Sequence, residues 1–380
     1  MTQEPFGWRT RAGFARLAAG MAMLVGLAGC TPEPPLRVGL LAGLSGRGAN
    51  AAEDGRNGAM LAIEQRNAAG GVHGRALELV VRDNGPTAQS AVAAVEALQA
   101  VPVEAIVGPF ISSVAMAVLP QIDAAHLLML SPTATATALA GRDDFLLRLN
   151  PTTQSSAREY ARQLYQRGQR HVALAVASDP GSAAYAHAWR DGFRPAFVAL
   201  GGEIAAEVEF KSRVDTAYAE IVLGMLADRP DGLVFVGGPV EVARLAQQAR
   251  RLAPGLPLAA AEAAAGEALV ELGGQAIEGL LVAQMHDRAD TSPRYLRFHA
   301  DFVARFGRAP GYHAVAAHDA VTVLADALVR RKPGETPRQA VLQHGPYQGL
   351  QQSIVFDRYG DITRALHFAV VRKGRFELLP

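Results

Sequence analysis

From residue 36 onward the chain alternates short apolar runs with longer amphipathic stretches, the pattern of strands covered by helices. Residues 36–42 read as a buried strand, 43–52 as a loop of small residues, and 53–69 as a helix. Gly70-Gly71 stops that helix, because glycine takes the left-handed C-cap conformation at little cost. Strands follow at 76–82, 104–107, 127–130 and 145–149, with a helix at 87–100 and another starting near Ser112 or Ser113. Asn150-Pro151 breaks the pattern, and a second series begins. It predicts helices at 153–167, 182–197 and 240–252, and strands at 171–176, 204–210, 233–236, 258–261 and 280–285. Two long helices, 292–306 and 312–331, precede strand-like segments at 353–356 and 366–372. The expected fold class is α/β, with two doubly wound, Rossmann-like lobes.

Length and composition agree with two lobes. Removing the first 29 of 380 residues still leaves more chain than one core usually organises, and 49% hydrophobic residues suffice to fill two. A net charge of +1, with basic residues dispersed among acidic ones, gives no electrostatic basis for binding nucleic acid.

The start of the chain reads differently. Arg9, Arg11 and Arg16 precede an apolar stretch at 17–27, and Ala28-Gly29 supply small residues before Cys30, the only cysteine. This is the layout of a secretory signal, too short to span a bilayer as a permanent helix. Leu27-Ala28-Gly29-Cys30 resembles the bacterial lipobox, which implies cleavage after residue 29 and a diacylglyceryl group on the Cys30 sulfur. At ~0.8 kcal/mol per buried methylene, two or more acyl chains anchor a protein stably. Residues 30–35 then read as lipidated cysteine plus proline-rich tether. In the lipoproteins it resembles, an aspartate after the cysteine marks inner-membrane retention; Thr31 leaves either membrane open. With its cysteine committed to lipid, the chain has no disulfide, zinc-thiolate site or cysteine nucleophile.

The segment Gly58-Ala59-Met60-Leu61-Ala62-Ile63-Glu64-Gln65-Arg66-Asn67-Ala68-Ala69-Gly70-Gly71-Val72-His73-Gly74-Arg75 resembles the first helix and turn of type I periplasmic binding proteins. Its leucine/isoleucine/valine-binding branch, which serves ABC importers and includes amide receptors, is similar in several further pieces. These are Leu44-Ser45-Gly46, Val107-Gly108-Pro109 with Ser112-Ser113, Ser131-Pro132-Thr133-Ala134-Thr135, and Phe356-Asp357-Arg358-Tyr359-Gly360-Asp361. The resemblance implies two lobes joined by three hinge crossings, closing over a ligand. Carried over, lobe 1 comprises 36–151 and 285–348, and lobe 2 comprises 152–284 and 349–380. The crossings are expected near 150–152, 283–286 and 348–353.

Ligands of open parallel sheets sit outside the carboxyl ends of the strands, where loops lead into helix N-termini. Two loops suit that position: the one leading to Ser112 and Ser113, and Ser131-Pro132 with Thr133, Ala134 and Thr135. Two roles are open to these hydroxyls, capping of their own helices or, as the resemblance implies, capture of a carboxylate at unpaired N–H groups. Glu262, just after the strand beginning at Leu258, aligns with the acidic residue that binds a ligand's ammonium group in the amino-acid receptors; the alternative is a solvated glutamate. The family's cleft tyrosines are replaced by Ala51, Gly181 and Pro239, which puts a branched-chain ligand in doubt. Tyr185 and Trp189 refill that space or are ordinary helix residues, Arg47 meets a second acidic group or solvent, and His286 reaches the cleft or, the expected case, lies at the surface.

Catalysis, metal and cofactor are not expected. The ten histidines form neither H-x-x-x-H nor H-E-x-x-H, and His313 and His318 are five apart on a helix, on different faces. No P-loop and no G-x-S-x-G elbow occurs. The sequence thus predicts a lipid-anchored extracytoplasmic solute-binding protein that captures an amino acid, amide or small carboxylate for an ABC permease. Two alternatives remain: a ligand-sensing domain for a signalling partner, and an envelope regulatory lipoprotein with a degenerate cleft.

Overall fold

The computed structural model describes residues 1–2, 33–45, 49–364 and 366–379, so Cys30, the signal segment and Arg47 lie outside the described residues. Residues 36–380 form one unit, and the architecture below is that unit's.

The first lobe opens with β1 (Leu36–Ala42), α1 (Ala49–Ala68), β2 (Leu77–Asp83), α2 (Ala88–Gln99), β3 (Val103–Val107), α3 (Ser112–Ala124), β4 (Met129–Ser131) and β5 (Leu146–Arg148). Its five strands are all parallel, in the order β2-β1-β3-β4-β5. The order reverses between β1 and β3, the switch point of a doubly wound sheet, and loops leaving these strands flank a crevice there. Alternation along β1 divides the packing. Leu36, Val38 and Leu40 face one core, while Leu41 faces a second core with Val95 and Leu98 of α2 and Val118 and Ile122 of α3. Each such fully buried aliphatic side chain is worth about 1.5–3 kcal/mol.

The second lobe runs α4 (Thr153–Gln166), β6 (His171–Ala177), α5 (Ala183–Ala199), β7 (Glu203–Phe210), α6 (Tyr218–Leu226), β8 (Gly232–Val236), α7 (Pro239–Leu252), β9 (Leu258–Ala260), α8 (Glu267–Gly273) and β10 (Leu281–Gln284). The chain returns to the first lobe as α9 (Pro293–Phe306), α10 (Tyr312–Arg330), α11 (Pro337–Gln343) and a small antiparallel pair, β11 (Tyr347–Gln348) and β12 (Ser353–Ile354). It ends in the second lobe as β13 (His367–Arg372) and β14 (Arg375–Leu378), antiparallel strands on the edge of a seven-stranded sheet ordered β14-β13-β10-β9-β8-β6-β7.

Helix α10 positions part of the cleft, and two features seat it. Asp54 of α1 accepts the Gly311 and Ala314 N–H groups at 3.1 and 3.0 Å, capping the start of α10, and pairs with Arg308 at 3.0 Å. Gly58 lets the two helices touch: a Cβ there would stand 2.1 Å from the Ala314 carbonyl oxygen.

Several elements differ from expectation. Helix α1 starts at Ala49, inside the expected loop, and α6, α8, α11 and β14 occupy stretches that carried no expected element. The third crossing also moves. Residues 349–362 were expected in the second lobe, yet Ile354, Phe356 and Ile362 pack in the first lobe's core. Arg148, fully buried on β5, pairs with Asp361 at 2.5 and 3.0 Å and donates its backbone N–H to Gly360 at 2.9 Å. Arg364 binds Asp319 of α10 at 2.8 Å. The chain therefore leaves the first lobe only after Arg364, because its apolar residues and ion pairs hold it there.

Candidate functional site

The loops at the switch point are tied to one another before any ligand is considered. Gly108 turns the chain out of β3 with φ +109, and a Cβ there would meet the Leu41 carbonyl oxygen at 2.1 Å, so only glycine fits. Ser131 Oγ donates to the Pro109 carbonyl (2.6 Å) and accepts the Ala134 N–H (3.1 Å). Thr133 Oγ1 donates to the Phe110 carbonyl at 2.7 Å. Ser112 Oγ accepts the N–H groups of Thr135 and Ala136, each at 3.2 Å. Thr153, first residue of α4, places its Oγ1 2.6 Å from the Thr135 carbonyl oxygen and 2.8 Å from Thr135 Oγ1.

Ser112, Ser113, Thr133, Ala134 and Thr135 lie on adjoining loops, and the hydroxyls of Ser112 and Thr133 fasten loop to loop. Neither caps its own helix. The residue before α3, Ile111, supplies no side-chain acceptor, so the first-turn N–H groups at Ser113 are left for another partner. Ser113 and Thr133 are half-buried, while Ser112, Ala134 and Thr135 are buried.

Across the cleft, Glu262 begins a single 3₁₀ turn after β9. It is 8% exposed and far from the solvated alternative. Trp189 Nε1 donates to Glu262 Oε2 at 3.1 Å, and the Tyr185 and Ser156 hydroxyls lie against the same carboxyl. Glu262 Oε1 has no partner among the described residues. Burial is the main influence on this carboxyl and raises its pKa; the hydrogen bonds oppose that without cancelling it. Burial also holds the Tyr160 and Tyr185 hydroxyls well above their usual range, with the Glu262 charge adding to it. Tyr185 and Trp189 are therefore the wall around Glu262, Trp189 being also stacked on Phe193 at 4.9 Å within the second lobe's core.

A third group gathers where the crossings meet. His286, expected at the surface, is 2% exposed, because Met285 and His286 continue the buried run of β10. Its ring stacks on Tyr312 at 5.9 Å and 19°, and the Tyr312 hydroxyl accepts from Asn150 Nδ2. Burial first, then the charges of Arg288, His313 and His367, lower the His286 pKa to about 3. His313 and His318 have separate surroundings, His313 beside Phe110 and His318 Nε2 at 2.9 Å from Gln65, so no shared metal site forms from them. Helices α3 and α5, from opposite lobes, approach one another. A surface hollow of about 530 Å³ lined by Glu267, Arg288 and Phe376 lies outside this cluster, and its Arg288 is already paired with Glu267.

Two α/β lobes with three crossings and a buried, polar, incompletely bonded cluster between them define a hinged ligand-binding protein. That class is borne out by comparison: the chain belongs to the periplasmic binding protein family, whose model matches residues 35–375. That family is one of binding proteins. The chain is 24% identical to the leucine-, isoleucine-, valine-, threonine- and alanine-binding protein of Pseudomonas aeruginosa, over 92% of each chain. It is 32% identical to the chemotactic signal transduction system substrate-binding protein BasB of Halobacterium salinarum, over 54% of this chain and half of that relative's length. The crystal structure of the leucine-binding protein LivK of Thermotoga maritima superposes with a TM-score of 0.81 at 23% identity, covering 91% of this chain and 98% of that one. No helix among the described residues is long and apolar enough to cross a membrane.

Proposed function

We propose that this protein is a lipid-anchored, periplasmic solute-binding protein that captures an amino acid between its lobes and delivers it to an ABC permease. One observation supports the reading: a helix start without a side-chain cap lies on one side of the cleft, and a buried carboxylate without a basic partner among the described residues lies on the other. The first suits an α-carboxylate through free N–H groups and the helix dipole. The second suits an ammonium group, which would supply the missing counter-charge. Ser113 and Thr135 would act at the carboxylate with Thr133 and Ala134 framing the loop, Ser112 would hold that loop in place, and Glu262 would act at the ammonium. The lobes, taken as 36–151 with 285–364 and 152–284 with 367–380, would open and close about the three crossings, and Cys30 would carry the anchor.

Calorimetry with intact amino acids, their amides and their deaminated acids tests the reading. Amino acids should bind, and both sets of analogues should lose at least tenfold, about 1.4 kcal/mol; equal binding of the deaminated acids would refute the ammonium site. Membrane fractionation of Cys30→Ser tests the anchor, which predicts release. A second reading, a sensor for a signalling partner, is favoured by the likeness to the chemotactic signal transduction substrate-binding protein of Halobacterium salinarum. Co-purification with a permease or with a membrane receptor separates the two.

A further inference from the structure

The proposed carboxylate and ammonium sites leave a set of polar groups at the foot of the cleft unused. Tyr312 is their centre. Its hydroxyl accepts from Asn150 Nδ2 and its ring covers His286, so residues of the first and second crossings converge on one side chain. Glu262 is close enough for its charge to act on the Tyr312 hydroxyl. His286 and Asn150 are each 2% exposed, and neither ring nitrogen of His286, nor Asn150 Oδ1, has a hydrogen-bond partner among the described residues.

Buried donors and acceptors are nearly always paired, so three unpaired atoms around one tyrosine point to a partner from outside the chain. The imidazole is neutral at physiological pH, because burial opposes its protonation. Neutral imidazole presents one N–H donor and one acceptor nitrogen, and Asn150 Oδ1 adds an acceptor. The charges that reach these groups are already engaged, Arg288 with Glu267 and Arg364 with Asp319, while Glu262 is assigned to the ligand's ammonium; a charged side chain would therefore find no free counter-charge, and an aliphatic one would leave all three atoms unmade. A carboxamide matches the set, its oxygen accepting from the imidazole and its NH₂ donating to Asn150; a hydroxyl matches it in part.

We infer that His286, Asn150 and Tyr312 form a side-chain subsite for a neutral hydrogen-bonding group, which makes the preferred ligand an amino acid ending in a carboxamide or hydroxyl. The inference rests on the amino-acid reading above.

The test is calorimetry on the full-length chain in detergent, with glutamine, asparagine, threonine, leucine, isoleucine and glutamate. Glutamine or asparagine should bind about tenfold or more tighter than leucine, and His286→Leu should abolish that preference. Should the variant not fold, the imidazole ¹⁵N resonances of His286 in the wild-type protein give an independent reading, shifting with glutamine and staying put with leucine. Leucine or glutamate binding as tightly as glutamine, with His286 resonances unmoved by any ligand, overturns the subsite and leaves the amino-acid reading standing. Binding of no amino acid overturns both.

Discussion

Glu262→Gln changes a charge and almost no volume, and the surroundings of this side chain give the two consequences opposite signs. Without ligand, the carboxylate is buried, accepts from Trp189 Nε1 at 3.1 Å with the Tyr185 and Ser156 hydroxyls beside it, and has no basic partner among the described residues. Burial raises its folded pKa above the unfolded value. A carboxylate shifted in that direction costs stability at neutral pH, and the cost fades as pH falls below the raised value. The glutamine amide carries no charge, and its NH₂ can donate to the Tyr185 hydroxyl. The ligand-free variant should therefore be more stable than wild type, on the order of 1–3 kcal/mol, the scale of burying an unsatisfied polar group. With an amino acid bound, the amide cannot neutralise the ammonium. Truncating one partner of a buried charge pair costs about 2–5 kcal/mol, or roughly 30-fold to several thousand-fold in Kd. Urea denaturation at pH 7.5 and calorimetry on the same preparation read both effects. Wild-type affinity should also weaken as acid protonates Glu262, while the variant's stays flat. A variant less stable than wild type without ligand would make the carboxylate a structural acceptor for Trp189 and Tyr185. Affinity unchanged within threefold would remove it from the ligand site.

Three further outcomes follow from the packing. Gly58→Ala forces a Cβ to within 2.1 Å of a backbone oxygen of α10; the overpacking cost of about 3 kcal/mol exceeds the ~1 kcal/mol gained in helix propensity, so the urea midpoint should fall, and a rise would show that α1 and α10 separate freely. Asp361→Ala strands the fully buried Arg148 guanidinium and should cost about 3–5 kcal/mol, whereas Arg148→Met with Asp361→Ala should cost less than the single change; strictly additive losses would refute the pair. Burial lowers the pKa values of His286, His313 and His318 to about 3, 4 and 4, below the unfolded value near 6.5. Their contribution to stability is thus complete above pH 6.5 and declines as pH falls below it, by up to about 1.4 kcal/mol per pH unit for each. Glu262 and Asp54, with raised pKa values, act in the opposite sense at lower pH. Unfolding free energies at pH 7.5, 6 and 5 should fall in that order, and imidazole NMR signals that titrate near pH 6.5 would contradict the burial.

Where periodicity and caps determine a structure, the sequence was readable. The apolar run of β1, the Gly70-Gly71 stop and the break at Asn150-Pro151 each carry their own local cause, and each falls where expected. Helix α6 was missed although Tyr218, Val222 and Met225 stand one helical face apart and are buried. The unassigned gap of roughly twenty residues before β8 was itself the signal, since such connections rarely lack structure. Helix α1 begins earlier than its pattern predicts: the glycines and asparagine around residue 48 read as a loop, although Ala49, Ala51 and Ala52 are strong helix formers.

The site divides along the same line. Its backbone part was legible, because a strand, a glycine turn and a helix start lie within a few residues of one another and their order alone brings Ser112 and Thr135 together. Its side-chain part was not, because what matters at Glu262 comes from Trp189, 73 residues earlier, and from the Ser156 and Tyr185 hydroxyls on two different helices. Local polarity also misleads at His286, whose neighbours Asp287 and Arg288 read as surface while the chain is still finishing a buried strand. The features of this cleft, a carboxylate without a basic partner and an imidazole without a hydrogen-bond partner among the described residues, are properties of what surrounds a residue. Selectivity among amino acids depends on the same surroundings, since a buried group left unmade penalises a wrong ligand more than a good contact rewards the right one.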